Sequence, residues 1–277
     1  MERILFDSHM HIDAERAELI RQIEASCVAY VVDTGYDLSS SLLAAQNAKA
    51  YEWCYAAVGI HPLYSEGYPG TSCERQDIAR RIAEREEDIP LLSMLTALAR
   101  EDGVKAVGEI GLDYHKDGAD KARQQQLFRA QIRLARALDL PVTIHDREAH
   151  GDTMDILKEE KAFDGAGVLL HSYSGSAQQA TEYARLGAML SIAGSVTWEG
   201  NRKTVAAAKA IPADNLLIET DAPFMTPEPY RGQKNSPPLL EYTARKVAEL
   251  RGVTYEELAE TTLKNGLRFY RIEQKTT

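Results

Sequence analysis

The chain has 277 residues, 44% of them hydrophobic, which is enough to bury a large core and lies within the size of one α/β barrel. Its 32 Lys and Arg against 42 Asp and Glu leave a net charge of −10, which excludes a broad basic surface that grips nucleic acid through counterion release, so any polyanion must be held locally. No run of about eighteen apolar residues appears, and three cysteines (Cys27, Cys54, Cys73) without C-x-x-C spacing exclude a disulfide framework and a thiolate site; a soluble, cytoplasmic protein with no membrane association is expected.

From its start the chain enters a first strand at residues 3 to 8, without the charged-then-apolar pattern of a signal peptide. Further apolar runs follow at 28 to 34 and 54 to 60. The breaker-rich stretch 63 to 73 reads as a long loop, and the dense mixed charge from Glu74 to Asp88 reads as a solvated helix face. After a strand at 104 to 110, Leu127, Ala130, Leu134 and Leu138 recur at i+3 and i+4 spacing, predicting a sheet-covering helix from Arg123 to Asp139. Strands at 140 to 145, 167 to 171, 188 to 193 and 215 to 220 complete a set of eight. A second long loop, 221 to 238, holds five of the ten prolines, and a helix closes the chain from about Thr254 to Tyr270. Eight repeated βα units with strands apolar on both faces predict a parallel sheet and an α/β fold of the (β/α)8 TIM-barrel type, as one domain over residues 1–277.

In such a barrel the strand C-termini and the loops after them form the active face, so polar residues that end apolar runs carry most information. The first strand ends in His9-Met10-His11, and strand alternation points both imidazoles the same way. A lone histidine is commonly satisfied by ordinary hydrogen bonds, whereas a His-x-His pair at a strand end favours a metal. Glu109 lies among apolar neighbours, where an unpaired charge is costly and calls for a cation. The fifth and sixth strands end in His145 and His171, and the eighth runs into Asp221. Five of the seven histidines (His9, His11, His61, His145, His171) follow apolar strand runs, a preference that scattered histidines would lack. Four imidazoles and two carboxylates without a thiolate suit one or two divalent ions of Zn, Mn, Fe, Co or Ni, and Mg less well. His115 and His150 sit in polar loop or helix-start contexts and are left out of this set.

The pieces Phe6-Asp7-Ser8-His9-Met10-His11, Gly59-Ile60-His61-Pro62, Gly108-Glu109-Ile110-Gly111-Leu112-Asp113-Tyr114, His145-Asp146-Arg147-Glu148-Ala149, His171-Ser172-Tyr173-Ser174-Gly175 and Glu219-Thr220-Asp221-Ala222-Pro223 occur in this order. With them the chain resembles the TatD-related hydrolases, metal-dependent deoxyribonucleases of the amidohydrolase-like barrel superfamily, over about residues 4 to 270. The resemblance implies one metal held by His9, His11, Glu109 and Asp221, with Glu109 bridging to a second held by His145 and His171. It also implies a phosphate-facing loop at Pro229-Tyr230-Arg231-Gly232-Gln233-Lys234-Asn235, where the Arg231 guanidinium suits a phosphate. Ser172-Tyr173 departs from the family's common Cys-Phe, and Asn265-Gly266-Leu267-Arg268-Phe269-Tyr270 from its Asn-x-x-x-Leu-Phe ending.

His61, Arg147, Tyr173 and Arg231 are the expected substrate-binding residues, with Tyr173 as a stacking ring. Asp221 and Glu109 are the expected catalytic carboxylates, Asp221 orienting a metal-activated water and carrying its proton. By the resemblance, the substrate is DNA, attacked at a single strand or exposed end, with no obligate protein partner. Two other readings fit the same metals: a small-molecule amide, ester or lactone hydrolase, and a catalytically idle metal-binding barrel.

Overall fold

The computed structural model describes residues 2–12, 16–65, 79, 81–116 and 118–273. Cys73, most of the 63 to 73 loop and the first part of the charged segment from Glu74 lie outside these residues. In chain order the strands are β1 (Leu5–Met10), β2 (Val28–Thr34), β3 (Cys54–Val58), β4 (Val104–Asp113), β5 (Val142–Arg147), β6 (Val168–Leu170), β7 (Met189–Ile192) and β8 (Leu216–Ile218). The helices among the described residues are α1 (Arg16–Glu24), α2 (Leu38–Ala50), α3 (Ile89–Leu98), α4 (Lys121–Ala137), α5 (His150–Glu159), α6 (Ala177–Arg185), α7 (Arg202–Ala210), α8 (Leu240–Arg251) and α9 (Tyr255–Phe269). The strands follow one another as β1 to β8 in an eight-stranded sheet, the strand order of a (β/α)8 barrel. Chain contacts divide into two compact units, Thr34–Leu169 and a discontinuous one of Met1–Asp33 with Leu170–Thr277. No described helix is long and apolar enough to cross a membrane.

In the central unit, the predicted stripe on α4 is realised, with Leu127, Ala130 and Leu134 packing against Leu91, Leu92 and Leu95 of α3 and against Ile60. Asp120 caps α4 by accepting from the Arg123 N–H, which sets its start. Gln131 grips the Ile60 backbone twice, its Oε1 accepting from the N–H at 2.8 Å and its Nε2 donating to the carbonyl at 3.1 Å. That grip fixes the chain just before His61. Strand β4 runs three residues beyond the predicted 104 to 110, because it keeps pairing with β5 through Gly111↔His145, Leu112↔Asp146 and Asp113↔Arg147. Gly111 permits this close approach: its φ is +142°, and a Cβ there would stand 2.0 Å from the His145 carbonyl oxygen.

In the discontinuous unit, α9 fixes β1. Thr254 and Glu257 form a capping box at its start, and Asn265 near its end donates to the Ala213 and Leu216 carbonyls. Gly266 lies flat against Phe6, where a Cβ would come within 2.6 Å of the ring. Tyr270 then stacks on Phe6 at 5.8 Å, and its hydroxyl donates to the Ser8 carbonyl at 2.9 Å. The unusual C-terminal run is thus the clamp on the strand that ends in His9 and His11.

Gly111→Ala is expected to lower Tm by roughly 5 °C or more, the scale of a backbone clash that β4 and β5 must open to relieve. Thermal unfolding checks this, and an unchanged Tm would mean the two strands part there without cost.

Candidate metal centre

One set of donors gathers where β1 meets the segment after β8. His9 and His11 alternate onto one face, their rings edge to face with centroids 5.0 Å apart. The Asp221 Oδ1 lies 3.8 Å from His9 Nε2 and 3.7 Å from His11 Nε2. Those separations are too long for hydrogen bonds and near the roughly 3.4 Å between two donors sharing a cation at about 2.0–2.2 Å. Asp221 is held in a left-handed conformation, φ +55°, with its N–H donating to the His9 carbonyl at 3.0 Å and its carbonyl accepting from Phe224 N–H at 2.7 Å. The His171 ring stacks on His9 at 3.9 Å, and donor atoms of His9, His171 and Asp221 lie within 4.8 Å of one another.

His171 is oriented by Glu219, whose Oε1 stands 3.2 Å from Nδ1 and also accepts the Ser172 N–H at 2.7 Å. Glu219 is fully buried; burial pushes its carboxyl up, but the neighbouring His171 outweighs that and holds it below the usual carboxylate range. A carboxylate there claims the Nδ1 proton and leaves His171 Nε2 as a lone-pair donor. Behind it, Asp7 accepts from the Thr220 N–H at 2.9 Å and hydroxyl at 2.6 Å, pinning the residue between Glu219 and Asp221. Burial drives the Asp7 carboxyl up to about 7, with the Thr220 hydrogen bonds opposing.

A second set lies in the central unit, at the ends of β4 and β5. His145 sits between two carboxylates, Nδ1 at 2.8 Å from Glu109 Oε1 and Nε2 at 3.0 Å from Asp113 Oδ2. Asp113 is buried, which raises its pKa, but the hydrogen bond and charge of His145 bring it below the ordinary value. With a cation on the edge that faces Glu109, Asp113 would do for His145 what Glu219 does for His171. His61 is different. Its Nδ1 accepts from the Leu63 N–H at 3.1 Å, which places the proton of the neutral ring on Nε2, 3.5 Å from Glu109 Oε1. A protonated Nε2 is a donor to an anion and not a metal ligand.

The donor chemistry in both sets, imidazole and carboxylate with no sulfur, fits a divalent cation of the Zn, Mn, Fe, Co or Ni kind. Asp113 and Glu219 are the residues that sequence reading passed over. The spacing marks only their neighbourhood: Asp113 lies on the Glu109 face of β4, and Glu219 stands two residues before Asp221 in the segment after β8.

The expected substrate residues fare unequally. Arg147 ends β5 exposed, opposite Asp113 in the β4 register. Arg231 is half exposed, its guanidinium 4.4 Å above the Trp198 ring and 4.0 Å from Glu228. Tyr173 cannot be the stacking ring: it is 5% exposed, lies edge-on to Tyr183 over Gly175, and its hydroxyl donates to the Ser176 carbonyl at 2.9 Å. It is a packing residue. His115 and His150 pair with Glu148 and Asp146, outside both donor sets.

Comparison with known proteins places this arrangement. The family model described as TatD related DNase matches residues 6–271. A Bacillus subtilis protein named uncharacterized metal-dependent hydrolase YabD is 38% identical, over 97% of this chain and 100% of its own length. A Cronobacter sakazakii protein named 3'-5' ssDNA/RNA exonuclease TatD is 32% identical, over 96% of this chain and 97% of its own. The crystal structure of YJJV, a TatD homologue from Escherichia coli K12, superposes with a TM-score of 0.86 at 28% identity, covering 99% of this chain and 100% of that one. A match of that extent, in sequence and in the (β/α)8 fold, means that the chain belongs to the TatD family of metal-dependent hydrolases.

Proposed function

We propose that the protein is a deoxyribonuclease that hydrolyses phosphodiester bonds in single strands or exposed ends of DNA, using two divalent cations. In this reading the whole chain acts as one barrel domain. His9, His11, Asp221 and Glu109 would hold one cation, and Glu109, His145 and His171 would hold the other. The observation that carries it is the position of Asp221, one carboxylate oxygen shared by two imidazoles at ligand spacing on a backbone fixed at both N–H and carbonyl. The substrate class is supported by the Cronobacter relative's name and by Arg231 in the loop that follows Asp221.

Cations bound there would supply Lewis acidity, making a water more acidic and offsetting charge on the phosphate and the leaving oxygen. The chain's own groups do the rest. Asp221 orients the attacking water and takes its proton on Oδ2, the oxygen not shared with the histidines. His61 donates its Nε2–H to a phosphate oxygen as negative charge builds there. Glu219 and Asp113 keep His171 and His145 in the tautomers that ligate. Arg231 forks onto a neighbouring phosphate.

Metal analysis after gentle purification should find up to two divalent ions per chain, and a His9→Ala, His11→Ala double variant should lose at least one of them together with activity; full metal content and turnover in that variant would sink the assignment. Asp221→Asn should lower kcat by about a hundredfold or more while Tm stays within a few degrees of the parent, since the amide keeps the shape but cannot take the proton. Steady-state kinetics with metal content measured alongside checks this, and unchanged turnover would assign the proton to another group. Arg231→Ala should raise KM for DNA by about tenfold to a hundredfold and leave hydrolysis of a small uncharged ester nearly untouched. Equal losses on both substrates would return Arg231 to the scaffold.

A further inference from the structure

Phe224 is the most exposed of the large hydrophobic side chains among the described residues, at 61%. It stands three residues after Asp221, and its ring lies 6.2 Å from that of His11 at 74°. The segment that carries it is tightly held. The Phe224 N–H donates to the Asp221 carbonyl, and its own carbonyl accepts from Asn235 Nδ2 at 2.6 Å, while the same Nδ2 donates to the Thr220 carbonyl at 2.7 Å. Trp198 Nε1 donates to the Thr226 carbonyl at 2.8 Å, Thr197 Oγ1 accepts from the Glu228 N–H at 2.7 Å, and Thr226 Oγ1 donates to the Gln233 carbonyl. An apolar ring left in water on a backbone fixed from both sides, beside donor atoms, is a preorganised contact surface. On the same loop the Arg231 guanidinium sits 4.4 Å over the Trp198 ring, so its charge is also positioned in advance.

We infer that Phe224 is the stacking platform for an unpaired nucleobase next to the scissile phosphate, and that it sets the preference for single strands over duplex. This rests on the phosphodiesterase reading above. Bases in a duplex already stack on one another and show no free face, whereas a single strand offers one at every nucleotide, whatever its sequence. The net charge of −10 strengthens the case: a chain with so little positive charge gains little from counterion release and needs affinity from contacts that do not depend on phosphate.

The test is binding to the metal-free protein in EDTA, by fluorescence anisotropy, of a short oligothymidylate and of its fully abasic counterpart with the same phosphates. The parent should bind the intact strand about tenfold more tightly than the abasic one, the size of one base-aromatic stack. Phe224→Ala should bring the two affinities together and Phe224→Trp should restore the gap, with thermal unfolding confirming that all three proteins are folded. The inference is overturned if the intact-to-abasic ratio is the same for the parent and Phe224→Ala, even where the metal-loaded enzyme cleaves DNA. Base-dependent binding through Phe224 in a protein that cleaves no phosphodiester with any metal would instead uphold the platform and overturn the nuclease reading.

Discussion

A neutral imidazole has one nitrogen that gives a proton and one that gives a lone pair, and only a neighbouring group decides which is which. In this chain that decision is made by buried carboxylates and one amide. Glu219 takes the Nδ1 edge of His171, Asp113 takes the Nε2 edge of His145, and the Leu63 N–H occupies Nδ1 of His61. Both carboxylates are almost wholly out of water, and burial pushes both carboxyls up. The hydrogen bonds and charge of their histidine partners bring both below the ordinary carboxylate value. The same rule, applied in opposite directions, leaves a lone pair on two of the histidines for a cation and a proton on the third.

The period of two along a strand makes these pairings compact. His9 and His11 share a face, and Glu109, Gly111 and Asp113 occupy three successive positions of one face of β4. Gly111 in the middle has no side chain to come between the ligand-type carboxylate and the orienting one, and its bare α-carbon lets the His145 backbone approach. On β4 the ligand-type carboxylate and the orienting one thus come from one strand, and a shift of register by one residue would lose both together.

The strands were legible because a parallel sheet covered on both faces needs continuous apolar runs, and their ends were legible because histidine and acidic residues break those runs. The β4 overrun was not, since Gly-Leu-Asp reads locally as a turn and only pairing with β5 keeps it extended. Glu219 and Asp113 were unassigned because a carboxylate beside a donor has no local mark that separates a ligand from a support. Tyr173 was read as a free ring because its burial depends on Gly175 and on Tyr183 of α6, contacts that arise only on folding. Phe224 escaped notice for the opposite reason: a Phe after Ala-Pro looks like any loop hydrophobe until the loop is seen to be pinned on both sides.

The clamp of α9 on β1 joins the chain's last helix to its first strand: Gly266 and Tyr270 close on Phe6, and the Tyr270 hydroxyl reaches Ser8. During synthesis β1 leaves the ribosome well before its clamp and before the Asp221 carboxylate that faces His9 and His11. The central unit, Thr34–Leu169, is continuous and has its own core, so it can condense while the N-terminal strand waits. The donor set around Asp221 is therefore assembled only after synthesis has passed Asp221 and the Tyr270 clamp, and a product that stops before them carries His9 and His11 without the means to arm them.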